Sequence, residues 1–242
     1  MRSRKTLFAE IIALSIVLPL FLFPHYALAG SVPDTGQTKC YDNSVEIPCP
    51  QPGESFYGQD AQYVGPARSY TKLEQNGVEL SDTATQADGW IMTRDNVTGL
   101  VWEVKQDKND VKDYTNHHDA DNTYTWYDSN PDTNGGNAGT AGDGTDTEDF
   151  IDALKAANFG GYSDWRMPTI KELSSLVNSD IAYTGPTIDT TWFPRTMSSY
   201  YWSSTTHAYY TDVAWLVNFG HGGVSSGNKS NSYYVRAVRA GQ

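Results

Sequence analysis

The sequence places oxygen-bearing side chains at every second position of one short stretch, Asp128-Ser129-Asn130-Pro131-Asp132-Thr133-Asn134-Gly135-Gly136. That alternation is how an EF-hand Ca²⁺ loop begins. Counting from Asn130 puts Gly135 where the loop must turn sharply, but Ala141 falls at the twelfth position, which requires a bidentate Glu. An EF-hand is excluded. Two readings stay open: a looser Ca²⁺ site on Asp128, Asn130, Asp132 and Asn134, or a turn-rich loop whose Asx side chains bond their own backbone. His117-His118 could ligate a metal, but adjacent side chains point apart and no HExxH or Cys partner exists, so the pair reads as polar loop residues. No G-x-S-x-G elbow supports a hydrolase triad. Asp164 and Arg166 flank Trp165 and are expected to form an ion pair that orders the turn into the next helix.

A second chemistry is recognition. Residues 197–234 hold 8 Ser, 6 Tyr, 4 Gly and 3 Asn, with Asp212 and Lys229 as the lone acid and base. Tyrosine offers large amphipathic contact area at low rotamer cost, and Ser, Asn and Gly adapt around it. Aromatic faces stack on sugar C–H groups while the hydroxyl supplies a polar handle. Trp202, Trp215, Val217, Phe219, Val235 and Val238 are read as core. Tyr209, Tyr210, His221, Asn228, Lys229, Asn231 and Tyr233 fall at turns or polar phases and are the candidate ligand-binding residues.

The elements that must position these groups are few. A tight turn at Asn76-Gly77 precedes an alternating stretch at 77–82, read as a strand, and a second strand is expected at 100–104. Residues 105–146 lose apolar periodicity and read as a long irregular loop with an aromatic knot at Tyr124, Trp126 and Tyr127; loops of this length are usually functional or disordered. A helix is expected from Glu148 to Asn158, burying Phe150, Ile151 and Leu154. The next is signed by the capping box Thr169-Ile170-Lys171-Glu172 and by the stripe Ile170, Leu173, Leu176 and Val177. Strands at 201–204, 214–219 and 233–238 complete an α+β domain.

Net charge is −12. Arg2, Arg4, Lys5, the apolar run Ile11–Phe23 and Ala27-Leu28-Ala29 read as an export leader over residues 1–29, so the protein is expected to be periplasmic, cell-surface or secreted, with no membrane span after the leader. The acid is uneven: residues 107–149 carry 11 acidic and 2 basic side chains, whereas residues 150–242 carry 6 and 7. Nucleic acid, which needs a basic footprint, is excluded as a partner. Cys40 and Cys49 are expected to pair, as two cysteines in an exported chain usually do. The division is a leader at 1–29, an extended lead-in at 30–66 and one domain at 67–242.

Four motifs then occur in order: Asp95-Asn96-Val97-Thr98-Gly99-Leu100-Val101-Trp102, Phe159-Gly160-Gly161-Tyr162-Ser163-Asp164-Trp165-Arg166, Tyr201-Trp202-Ser203-Ser204-Thr205 and Tyr233-Tyr234-Val235-Arg236-Ala237-Val238-Arg239. With them the chain resembles the C-terminal domain of the Legionella collagen-like adhesin, the Lcl C-terminal domain. Trp165-Arg166-Met167-Pro168-Thr169 through Glu172 also resembles a motif of the formylglycine-generating-enzyme and C-type-lectin-like superfamily. The resemblance implies a C-type-lectin-like fold, two helices and small antiparallel sheets with the long loop inserted, and either oxidation chemistry or ligand display. No Cys follows residue 49, which removes the thiolate that formylglycine chemistry uses as metal ligand and nucleophile. The Glu-Pro-Asn, Gln-Pro-Asp and Trp-Asn-Asp tripeptides of Ca²⁺-dependent sugar binding are absent. The expectation is an adhesin-like, non-catalytic module that binds an extracellular glycan or surface protein, requiring no cofactor, with Ca²⁺ left open. A secreted enzyme of another chemistry and a structural subunit of an envelope assembly are the alternatives.

Overall fold

The computed structural model describes residues 32–183 and 185–241. The expected leader lies outside the described residues. Near the start, β1 (Cys40–Tyr41) and β2 (Glu46–Ile47) form a short hairpin closed by the Cys40–Cys49 disulfide. This lead-in docks on the main body: the Ser179 amide donates to the Thr35 carbonyl (2.8 Å) and Thr38 Oγ1 to Asp180 Oδ1 (3.0 Å).

Two antiparallel sheets organise the rest. One runs in the order β3 (Tyr70–Leu73), β4 (Met92–Asp95), β5 (Val101–Glu103) and β9 (Val238–Arg239). The other is β6 (Tyr200–Thr206), β7 (Val213–Asn218) and β8 (Gly223–Asn228). Among the described residues the α-helices are α1 (Thr147–Ala156) and α2 (Ile170–Ser174). This is an α+β architecture. Trp102, Trp126, Trp165 and Trp202 are fully buried within two apolar clusters.

Local signals account for the helices. Asp146, not anticipated as a cap, accepts from the Glu148 and Asp149 amides and starts α1. Thr169 and Glu172 form the expected reciprocal box at α2. That helix spans five residues, so Leu176 and Val177 lie beyond it, although Leu173 and Leu176 are buried as the stripe requires.

Four expectations are corrected. Residues 77–82 form no strand: Asn76 and Gly77 take positive φ (61° and 71°) in a 3₁₀ turn, and only Glu79 bridges back, to Leu73. The strand expected at 233–238 shortens to β9, with isolated bridges joining Tyr233 to Tyr124 and Tyr234 to Tyr201. β8 arises in a Gly/Ser stretch between the strands expected at 214–219 and 233–238, because its backbone pairs along all six positions of β7. Asp164 and Arg166 do not pair with each other. Arg166 lies opposite Val238, with amide-to-carbonyl bonds of 2.9 Å in both directions, and that register sets Arg239 beside Asp164 (2.7 Å). The Arg166 guanidinium instead grips Glu172 in a bidentate pair (2.8 and 2.6 Å).

Candidate ligand-binding surface

The long loop is not simply solvated. Tyr124 and Trp126 are buried; the bridges Gln106–Asp119, Thr125–Asp146 and Tyr127–Gly139 cross-link the loop internally, and the Tyr124–Tyr233 bridge together with the Trp126 amide donating to the Lys229 carbonyl (3.0 Å) fasten it to the body. Its acidic portion turns onto itself. Asp128 Oδ1 accepts from the Asn130 amide, Asn130 Oδ1 from the Asp132 amide and Asn134 Oδ1 from the Gly136 amide, at 2.9–3.0 Å. Asp128 Oδ2 accepts from the Thr133 hydroxyl (2.7 Å). These are Asx turns, the second of the two readings the alternation allowed. Among the described residues, no three His, Cys, Asp or Glu side chains gather as a metal site.

Of the seven candidate recognition residues, the structure brings four to one end of the three-stranded sheet. The β6–β7 connection carries Tyr209 and Tyr210, which are 80% and 58% exposed. His207 orders them. Its Nδ1 accepts from the Tyr209 and Tyr210 amides (3.2 and 3.1 Å), and its ring stacks on Trp215 at 5.0 Å between centroids. A neutral imidazole that accepts at Nδ1 carries its proton on Nε2. The two tyrosine rings meet edge-to-face at 4.8 Å. Beside them, Asn228 Nδ2 donates to Asp212 Oδ2 (3.1 Å), Asn228 Oδ1 accepts from Ser230, and the Asn231 amide donates to the Asn228 carbonyl.

The other three do not join this exposed group: one lies at the far end of the sheet, and two turn inward. His221 occupies the β7–β8 turn at the opposite end of the sheet, about 20 Å away by strand rise. Tyr233 is half-buried against Trp202 (5.0 Å) and Tyr200 (5.5 Å), with its hydroxyl accepting from Asn231 Nδ2 at 3.4 Å.

Lys229 is a correction. It is 2% exposed, so it is unavailable to a ligand. Its ammonium lies 3.7 Å from the Trp126 ring centroid and donates to the carbonyls of Asn134 (3.0 Å) and Asn137 (2.6 Å). Burial draws its pKa down to about 8. The residue fastens the acidic loop to the sheet.

Sequence reasoning also missed a buried ionic cluster. Glu103, fully buried on β5, meets Lys105 Nζ (3.0 Å) and His118 Nδ1 (2.9 Å), while the Ala237 amide donates to Glu103 Oε2 and Arg236 donates to the Glu103 carbonyl (2.7 Å). Burial pushes the Glu103 carboxyl upward, but Lys105 and His118 prevail and hold it at about 2. The adjacency of His117 and His118 was visible. The partner of His118 was not.

A groove of about 720 Å³ also opens between the Trp126–Thr133 stretch, α1 and the segment from Arg166 to Thr169.

These features define an α+β domain with an exposed aromatic turn, Tyr209–Tyr210, at one end of a sheet. The chain belongs to the Lcl C-terminal domain family, which it matches over residues 91–239. That membership points to an adhesin-like binding module. Among curated proteins and solved structures, none matches the chain significantly.

Proposed function

We propose that the protein is an exported, non-catalytic binding module that recognises a carbohydrate or surface-protein ligand through the Tyr209–Tyr210 turn, with Asn228 and Asn231 on its flank. One observation carries this reading. Two adjacent tyrosines stand 80% and 58% exposed, yet their backbone is fixed by an imidazole stacked on Trp215. Preordered aromatic area binds without the entropy loss of ordering a loose loop. We infer a C-type-lectin-like arrangement for the domain, supported by two helices and a sheet closed by β9 against β5. The Cys40–Cys49 disulfide supports export. No helix among the described residues is long and apolar enough to cross a membrane.

The enzyme alternative has less support. Glu148 in the groove accepts from the Ser129 amide and hydroxyl, Asp152 pairs with Lys155, and Asp128 holds Thr133. A subunit role gains from Phe56, Tyr57 and Tyr63, exposed on the lead-in; size-exclusion chromatography with and without residues 30–66 tests it. The main reading is tested by a glycan array probed with the wild-type chain and a Tyr209→Ala/Tyr210→Ala double variant. Ligand-dependent signal lost in the variant supports it, and signal that persists unchanged refutes it.

A further inference from the structure

The groove beside α1 has a chemistry of its own. Its floor is apolar, built from Ile151, Met167 and the half-buried ring of Tyr127. Its walls are polar, and each charged group on them already has a partner within the protein. The Arg166 guanidinium is held by both oxygens of Glu172, and Lys155 pairs with Asp152 at 3.2 Å. Glu148 is fixed by Ser129, and the Asp128 and Asn130 side chains are set by their Asx turns, so the hydrogen-bonding wall is ordered before any ligand arrives. A volume of about 720 Å³ lies within the range of small-ligand sites.

We propose that this groove binds a neutral oligosaccharide. Sugar C–H faces suit the Tyr127 ring and the aliphatic floor. A hydroxyl both donates and accepts, so it can meet a carboxylate on one wall and a guanidinium on the other without disturbing either ion pair. A charged ligand fits worse. An anion faces Asp128 and Glu148, whereas a cation must compete with Lys155 and Arg166 for Asp152 and Glu172, or draw Glu148 from Ser129 and Asp128 from Asn130 and Thr133. The site is distinct from the aromatic turn and stands without it. Both draw on β6, where Ser204 lines the groove and His207 begins the turn about 10 Å further along.

The test is calorimetric titration of the full chain with neutral hexasaccharides (glucose-, mannose- and N-acetylglucosamine-based), with a heparin hexasaccharide and a deacetylated amino-sugar hexamer as charged controls. Asp152→Trp fills the groove from an exposed position on α1, and Lys155→Trp does so from a second. At least one neutral hexasaccharide is expected to bind more tightly than both controls. Either groove variant should weaken it by about tenfold or more, while Tyr209→Ala/Tyr210→Ala stays within about threefold of wild type. The proposal is overturned if no neutral hexasaccharide outbinds the controls, or if both well-folded groove variants bind like wild type. Loss of binding in the tyrosine variant alone overturns the groove and leaves the turn; loss in the groove variants alone does the reverse.

Discussion

The Lys229 ammonium sits 3.7 Å above the centre of the Trp126 ring, bridging a turn at the end of β8 to the long acidic loop. The two residues are far apart in the chain, and the cation also holds two loop carbonyls, those of Asn134 and Asn137. A single buried side chain thus couples the Tyr209–Tyr210 end of the sheet to the neighbouring groove wall, because Trp126 lines that groove.

Lys229→Met separates tethering from global stability. Replacing a buried charge by an apolar side chain of similar length offsets much of what the lost bonds remove. The thermal midpoint is therefore expected to move by no more than about 3 °C. Limited proteolysis within residues 128–140 should accelerate severalfold, and unchanged protection there would show that the tether is idle.

Glu103 predicts the acid behaviour. Its folded pKa of about 2 lies below the ordinary value of 4.5, so in that window the unfolded chain binds the extra proton. Its stabilising contribution is complete above pH 4.5 and is lost as pH falls toward 2. Glu103→Gln leaves Lys105 and Arg236 buried without their counter-charge and is expected to destabilise by about 3–5 kcal/mol at neutral pH. Urea unfolding at pH 7 and pH 3 checks both claims: the variant should be weaker at pH 7 and less dependent on pH.

His207→Phe keeps an aromatic ring on Trp215 and removes the Nδ1 acceptor. Amide exchange at Tyr209 and Tyr210 is expected to quicken by about tenfold with the midpoint unchanged to within about 2 °C. Exchange rates equal to wild type would mean that stacking alone orders the turn.

Calcium supplies a fourth test. The side-chain oxygens of Asp128, Asn130 and Asn134 already serve backbone amides. Millimolar Ca²⁺ against EDTA is expected to shift the midpoint by less than about 1 °C, since a ligand stabilises only through differential binding to the folded state. A shift of several degrees would support a cation site on this loop.

Features written in neighbouring residues were the legible ones. The Thr169–Glu172 box, the Phe150–Ile151–Leu154 stripe and the exposure of Tyr209 and Tyr210 follow from local spacing and turn chemistry, and all are present. Features set by distant partners were hidden. Asn228-Lys229-Ser230 looks like an exposed turn, and only the arrival of Trp126 makes Lys229 a buried cation. β8 has little intrinsic strand preference and exists because β7 offers a ladder. Asp164 and Arg166 looked like partners until β9 set Arg239 beside Asp164 and α2 set Glu172 beside Arg166.

β9 has one further consequence. It is gripped on one edge by β5 and on the other by Arg166, and the Ala237 amide beside it reaches Glu103 across 134 positions of sequence. Contacts that close such long loops form late and slowly, because the chain entropy must be lost before the contact repays any of it. The closing strand therefore makes this a high-contact-order domain, whose refolding belongs in the millisecond-to-second regime or slower. Until β9 inserts, Arg236 and the Ala237 amide cannot reach Glu103, and the partly folded chain exposes unpaired strand edges on which a second molecule can pair.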